Sequence, residues 1–341
     1  MKTALVTGAT GHIGSNLVRE LLDRGVALRA LVRVGSDLTS LRGLDLRLHH
    51  GDILQPATLS QAVDGVDVVF HCAAVYRNWT PDPAAMLRTA IEGTENVLQA
   101  AKRAGVARVV VTSSCNAVGF SSSPTPRDES LWNDELHLPY VEAKVGQERR
   151  ARALAESLGL DLVTVLPTAV MGPHDHRITP TTRFVREVLA GRGPLLPGIS
   201  NLVHVRDVAI GHVLAAERGQ PGGRYLLGGP DIADQELAGL IEVLTGRRPS
   251  ILKAPRAALL GMAWMMETQA WLRAVEPALT REMVRTVHGR HAAFDCSRAR
   301  DALGFAPRGP REVLADTHDW LVQIGQLPGA GPATDVARAG V

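Results

Sequence analysis

Tyr140 and Lys144 stand four residues apart in Leu138-Pro139-Tyr140-Val141-Glu142-Ala143-Lys144. The chain holds only three tyrosines and four lysines (Lys2, Lys102, Lys144, Lys253), so abundance does not explain the pairing. On a helix, which Pro139 is suited to start, this spacing puts both side chains on one face, one turn apart. The chemistry such a pair supports is proton transfer. A free phenol has a pKa of about 10, and an ammonium beside it is expected to lower that value by favouring phenolate. Tyr140 would then give a proton to a carbonyl oxygen, or take one from an alcohol, as hydride moves at the carbon. Ser113-Ser114-Cys115 follows the apolar run Val106–Thr112. A hydroxyl just past the carboxyl end of a central strand, from Ser113 or Ser114, could hydrogen-bond the same substrate oxygen. Cys115 has no His–Asp pairing in the sequence and reads as a packed thiol.

A second motif supplies a partner for this chemistry. Thr7-Gly8-Ala9-Thr10-Gly11-His12-Ile13-Gly14 closes a hydrophobic strand and opens into a helical pattern. That context aims free N–H groups and the positive helix end at an anion. Gly8 permits the tight turn, Gly11 lets a pyrophosphate approach the backbone, and Gly14 lets the helix pack close to the sheet. Where an NAD site would place an acid on the ribose 2′-hydroxyl, the chain reads Ala30-Leu31-Val32-Arg33-Val34-Gly35, without a carboxylate. Arg33 could clamp a 2′-phosphate as a planar cation. NADP(H) is the expected cofactor, with NAD(H) as the alternative.

The elements that must position these residues follow from periodicity. Short β-branched runs at Thr3–Thr7, Leu28–Val32, Leu46–His49, Val66–Phe70, Val106–Thr112 and Leu160–Leu166 predict strands. They alternate with helical patterns at Gly14–Arg24, Thr58–Val63, Met86–Ala104 and Tyr140–Leu158. Such alternation specifies an α/β fold, a doubly wound parallel Rossmann sheet covered on both faces. After Pro167 turn signals cluster and strict pairing ends. The expected division is a dinucleotide-binding unit over 1–170 and 201–230, with a smaller interleaved C-terminal substrate-binding cap over 171–200 and 231–324. Gly325 to Val341, rich in Gly, Pro and Ala, is expected to be a disordered tail. No internal repeat is visible.

Composition excludes several function classes. The 341 residues carry 37 Lys+Arg against 35 Asp+Glu, a net charge of +2, which gives no strong overall field to recruit nucleic acid or an anionic membrane. Three widely spaced cysteines (Cys72, Cys115, Cys296) form no CxxC pair and read as reduced thiols of a cytoplasmic protein. No targeting segment is expected, since Met1-Lys2 runs straight into the first strand. Ala257–Met266 (AALLGMAWMM) is about half the roughly 20 residues of a membrane span and reads first as a buried helix. Its second reading is a surface helix docking a lipid-like substrate. His174 and His176, two apart, suggest no metal site without a third ligand.

Taken together these residues resemble the extended short-chain dehydrogenase/reductases, the epimerase/dehydratase family. The resemblance runs from Lys2 to Val322 through TGATGHIG (Thr7–Gly14), GDI (Gly51–Ile53), HCAA (His71–Ala74), EGTENVL (Glu92–Leu98), TSS (Thr112–Ser114), YVEAK (Tyr140–Lys144), LPTAVMGP (Leu166–Pro173) and NLVHVRDVA (Asn201–Ala209). Within the family the chain looks nearest to dihydroflavonol-reductase-like enzymes and hopanoid-associated sugar epimerases. The resemblance implies catalytic roles for Ser114, Tyr140 and Lys144, with Lys144 also gripping the nicotinamide ribose. It implies cofactor contacts from Gly8, Thr10, Gly11, His12, Ile13 and Gly14, from Asp52 and Ile53 at adenine, from Ala73 and Ala74 along the ribose, and from Pro167 to Val170 at nicotinamide. It also implies a homodimer paired through the helices holding Met86–Ala104 and Tyr140–Leu158. Two positions depart from the family: Ala90 stands where many members have an Asn that supports a proton relay, which leaves Thr89, water or substrate to carry it, and Arg206 where an acid is usual.

Tyr76, Trp79, Trp132, Met171, His174 and His176 are expected to border the crevice, and their bias suggests a ring-containing or hydrophobic substrate. The expected function is an NADP(H)-dependent oxidoreductase that interconverts a carbonyl and a secondary alcohol. The alternatives are a nucleotide-sugar epimerase/dehydratase holding its cofactor tightly and a non-catalytic dinucleotide-sensing module.

Overall fold

The computed structural model of the chain describes residues 1–74, 76, 79–80, 82–273, 277 and 279–328. Among the described residues ten strands run as β1 (Thr3–Thr7), β2 (Ala27–Val32), β3 (Arg47–His50), β4 (Val68–His71), β5 (Arg108–Thr112), β6 (Leu162–Pro167), β7 (Ala169–Met171), β8 (Ile199–His204), β9 (Arg224–Leu227) and β10 (Asp231–Ala233). The helices are α1 (His12–Asp23), α2 (Ser60–Val63), α3 (Pro83–Arg103), α4 (Pro139–Leu158), α5 (Pro180–Leu189), α6 (Val205–Arg218), α7 (Asp234–Thr245), α8 (Arg256–Arg273), α9 (Arg281–Val287), α10 (Ser297–Leu303) and α11 (Pro310–Gln323).

Seven strands form one sheet in the order β3-β2-β1-β4-β5-β6-β9, every neighbouring pair parallel. The chain reverses its direction of growth between β1 and β4, and an open sheet leaves a crevice at the carboxyl ends there. All of β4 and β6, and all but one residue each of β1 and β5, are buried, as continuous apolar runs require of a sheet covered twice. One layer packs Leu17, Val18 and Leu21 of α1 with Val208, Val213 and Ala215 of α6. The other packs Val97, Leu98 and Ala101 of α3 with Ala151 and Ala155 of α4. Pro83 and Pro139 each occupy the first helical position, and α4 stops at Gly159 in the left-handed region.

A small sheet, β10-β8-β7, carries the second unit, where Met171, Leu202, Ile232, Val313 and Leu321 form a separate core. Two boundaries differ from those expected. Residues 201–204 pair with β7 and β10 in the small sheet, whereas Ala299, Leu303 and Phe305, expected in the cap, bury into the core around α6. Backbone pairing decides the first, since Val203 buries in the first core and Leu202 in the second, and the apolar face decides the other. Of the expected tail, Leu327 is buried in the second core and Gln326 accepts from Arg186, while 329–341 lie outside the described residues.

Ala257–Met266 does form a helix, within α8, but it is not enclosed. Trp264 and Met265 are exposed, because only the stripe through Leu259 and Ala263 meets α9. Among the described residues no helix is long and apolar enough to cross a membrane.

Candidate active site

The turn after β1 is built around close backbone approach. Gly8 takes φ +70°, and a Cβ there would stand 2.6 Å from the Ala73 backbone nitrogen. A Cβ on Gly14 would stand 2.2 Å from the Gly8 carbonyl oxygen, so α1 can lie this near the sheet only with glycine. Gly11 caps α1 without offering a side chain to its first-turn N–H groups, which include those of His12 and Ile13. A Cβ on Gly11 would meet only the Gly8 carbonyl, at 3.2 Å, so the space above the loop is open. An uncapped helix end facing open space fits an anionic group such as a pyrophosphate.

Beyond the loop a surface cleft of about 640 Å³ is lined by Arg33, Gly35, Ser36, Asp37, Asp52 and Arg177, among others. Arg177 had no signal in the sequence. It comes from the second unit, 167 positions away, and donates to Thr10 Oγ1 at 2.7 Å. Asp37 was also missed, lying past the stretch read for an acid. Its carboxylate accepts from the Thr39 backbone N–H (2.9 Å) and hydroxyl (2.6 Å), so it is engaged in its own turn. Ile53 is buried against Gly93 of α3, and Asn96 donates to its carbonyl at 2.9 Å. Ala73 and Ala74 follow β4 beside Gly8, and Pro167 and Val170 end β6 and enter β7.

The crevice brings Ser114 and Tyr140 together. The Ser114 hydroxyl acts on the Tyr140 phenol, opposing the effect of burial on it, and its Oγ accepts from the backbone N–H (3.2 Å) and Nδ2 (3.1 Å) of Asn116. Tyr76 lies against the phenol, with ring centroids 4.7 Å apart, and its own hydroxyl meets Thr181 Oγ1 at 2.8 Å. Ser113 points the other way, donating to Glu148 at 2.5 Å, and Glu148 is ion-paired with Arg224 at 2.5 Å in full burial. The strand's alternation therefore separates a structural serine from the one in the crevice.

Lys144 departs from the expected arrangement. Its ammonium donates to the Thr112 carbonyl (2.8 Å) and to Gln147 Oε1 (3.0 Å). The phenol of Tyr140 is pushed above its ordinary pKa, first by loss of water and then by Tyr76, with only the Ser114 hydrogen bond and no ammonium opposing. The expected acidification is thus reversed: burial outweighs a cation aimed at carbonyl oxygens. Lys144 itself is lowered to about 8 by burial, against the pull of Cys72 and Glu148.

A buried chain of hydrogen bonds holds the lysine. The Thr94 hydroxyl donates to the Ala90 carbonyl (2.7 Å), so it must accept from both Gln147 Nε2 (2.8 Å) and His71 Nε2 (2.9 Å). His71 then carries its proton on Nε2 and accepts from the Thr7 hydroxyl on Nδ1 at 2.7 Å. Burial holds His71 neutral, with a pKa near 3. Thr89, one of the carriers considered for the relay, donates instead to Ala85 of its own helix at 2.8 Å.

Other expected substrate contacts are placed elsewhere. Met171 is buried in the second core, where β7 turns it inward. His174, at φ +67°, stacks on Trp320 with centroids 5.1 Å apart, and His176 meets the same indole at 5.0 Å. Trp132 is covered by the Arg224 guanidinium 3.9 Å from its ring centroid. Trp79 is half-buried, while Arg77 and Asn78 lie outside the described residues. Cys115 is buried, its thiol pushed up to about 12 by loss of water, as befits packing rather than attack. Arg206 is half-exposed, 3.9 Å from Asp316, and Asp207 accepts from the Arg308 backbone at 2.8 Å. Among the described residues no cluster of three or more His, Cys, Asp or Glu could hold a metal.

A parallel sheet with this strand order, a glycine turn under an uncapped helix and a Ser–Tyr pair at the crevice define a dinucleotide-binding Rossmann enzyme. The family model described as "NAD dependent epimerase/dehydratase family" matches residues 4–228, and the chain belongs to that family, as an NAD(P)-dependent enzyme of the extended short-chain type. It is 34% identical over 329 residues to a Synechocystis protein named "Putative dihydroflavonol 4-reductase", covering 94% of this chain and 95% of that one. It is 33% identical to "Sterol demethylase protein B" of Methylococcus capsulatus, covering 95% and 100%. The solved structure titled "Crystal structure of gox2253" superposes with a TM-score of 0.84 at 36% identity, covering 96% of this chain and all of that one.

Proposed function

We propose that the chain catalyses NADP(H)-dependent interconversion of a carbonyl and a secondary alcohol on a ring-containing or hydrophobic small molecule. The observation that carries this reading is the placement of the Tyr140 phenol at the crevice, flanked by the Tyr76 ring at 4.7 Å and acted on by the Ser114 hydroxyl. A phenol kept protonated is the correct form to donate to a carbonyl oxygen during reduction. Ser114 has its oxygen engaged by Asn116, which leaves its proton for the substrate oxygen or for Tyr140. Lys144, with two N–H groups anchored on Thr112 and Gln147, keeps a third for a ribose hydroxyl. A bound nicotinamide supplies or accepts the hydride.

The loop of Gly8, Thr10, Gly11, His12, Ile13 and Gly14 would hold the pyrophosphate, and Asp52, Ile53, Ala73, Ala74, Pro167 and Val170 would line the remaining cofactor path. NADP(H) is preferred in this reading because Arg33 and Arg177 share one cleft in which Asp37 is tied to Thr39. The names of the first two relatives, one a reductase and one concerned with sterols, support reduction and a hydrophobic ring body. The reading includes a cytoplasmic homodimer paired through α3 and α4, which light scattering checks.

The test follows the near-ultraviolet absorbance of the reduced nicotinamide, first with NADPH and then NADH, against aryl ketones, flavanonols, steroids and sugar nucleotides. Net oxidation of NADPH by a ring ketone, faster than of NADH, is expected. Conversion of a sugar nucleotide with no net cofactor consumption would establish the epimerase alternative instead.

A further inference from the structure

Helix α8 turns to solvent a face with no charge on it. Leu259, Ala263 and Ala270 are buried, so the opposite stripe runs through Ala257, Ala258, Gly261, Trp264, Met265, Thr268, Trp271 and Leu272. Trp264 is 57% exposed, Met265 59%, Trp271 79% and Leu272 71%, far above what a soluble surface needs. These sixteen positions extend about 24 Å along the helix. The one hydroxyl on the stripe, Thr268, donates to the Trp264 carbonyl at 2.9 Å and so makes no demand on water.

We propose that this face seats the protein on an anionic lipid surface, α8 lying parallel to it with both indoles at the headgroup boundary. Charge selects the partner. Lys253 and Arg256 are exposed at the amino end of the stripe, and Arg273 closes the other end in sequence. The only acid on α8, Glu267, is ion-paired with Arg281 at 2.6 Å and also accepts the Arg281 backbone N–H at 2.7 Å. Among the described residues, an apolar stripe with two exposed cations at its amino end and no unpaired acid on the helix suits anionic headgroups. The chain's own last residues, 329–341, contain no Leu, Ile, Met, Phe or Trp and offer little to cover the indoles.

The placement has a use. The Glu267–Arg281 pair ties α8 to α9, and Met283 of α9 packs on the cluster of Cys115, Leu138 and Val141, whose chain neighbours are Ser114 and Tyr140. An apolar substrate leaving the bilayer at α8 would meet apolar side chains up to the crevice. The docking itself does not depend on the proposed reaction.

The experiment is sedimentation of the full-length protein with vesicles of phosphatidylcholine alone and of equimolar phosphatidylcholine and phosphatidylglycerol, in the absence of substrate. Preferential binding to the anionic vesicles is expected, with a blue shift of tryptophan emission. The double variant Trp264→Gln, Trp271→Gln should weaken that binding by about tenfold or more, which corresponds to roughly 1.4 kcal/mol. Thr268→Glu, which removes no packing and sets a carboxylate on the face, should do likewise while NADPH binding and the thermal midpoint stay unchanged. Absence of binding to anionic vesicles overturns the proposal. So does binding that survives both variants, or a self-association by light scattering that buries these indoles and is abolished by the same changes.

Discussion

Two buried side chains tie the site to pH: Lys144 through cofactor binding, and both Lys144 and His71 through stability that rises with pH across their own windows. Lys144 has its value lowered from 10.5 to about 8. Above about pH 8 the ammonium is lost, and the Michaelis constant for NADPH should climb by up to about tenfold per pH unit, while the constant for the carbonyl substrate moves less. The folded chain also binds fewer protons at Lys144 than the unfolded chain between about 8 and 10.5, so this group makes stability rise with pH across that window. His71 is lowered from 6.5 to about 3. Above 6.5 it is neutral in both states; as pH falls from 6.5 to 3 the unfolded chain takes the proton first, and stability is lost. Denaturant midpoints at graded pH should show that loss, and His71→Gln should flatten it. The Tyr–Lys spacing was legible in the sequence, but the balance that sets the phenol was not. It depends on Tyr76 lying over the ring and on the Thr112 carbonyl drawing the ammonium away, and neither is encoded by a distance of four along a helix. Met171 failed as a substrate contact for a similar reason, since a three-residue strand leaves too little alternation to say which way its side chain turns.

At the scale of elements, the central strands were readable because β1, β4, β5 and β6 are buried along almost their whole length, so their continuous apolar runs and their packing agree. The glycine turn was readable because backbone contact leaves no alternative. Gly14→Ala would place a Cβ 2.2 Å from the Gly8 carbonyl oxygen, forcing α1 outward. The expected result is a loss of about 1–3 kcal/mol in urea unfolding together with weakened NADPH affinity by fluorescence titration. The joint between β5, α4 and β9 had no sequence signal. There Glu148 binds Ser113 and Arg224, and Arg224 covers Trp132. Arg224→Met leaves the carboxylate buried and unpaired, and should cost about 3–5 kcal/mol in thermal or urea unfolding. Replacing both partners with apolar residues should restore much of that loss. The second unit was the least legible, because its strands of three to six residues are drawn from segments far apart and carry too short a pattern to assign.

Across the whole molecule, the cofactor crevice is assembled by both units: the first contributes the glycine loop and Arg33, the second reaches back with Arg177 to Thr10. In the proposed reading, cofactor choice is therefore shared. Arg33→Ala and Arg177→Ala should each lower the preference for NADPH over NADH, and the double variant should lower it further, read from the ratio of kcat/KM values. The central claim is that Tyr140, held neutral at the crevice, moves the substrate's proton. It is tested most directly by comparing the wild type with Tyr140→Phe, measuring NADPH affinity and carbonyl turnover on the same preparations. The account predicts cofactor affinity within about twofold and kcat lower by about 10²–10⁴. Unchanged turnover by a variant that binds NADPH normally would contradict it.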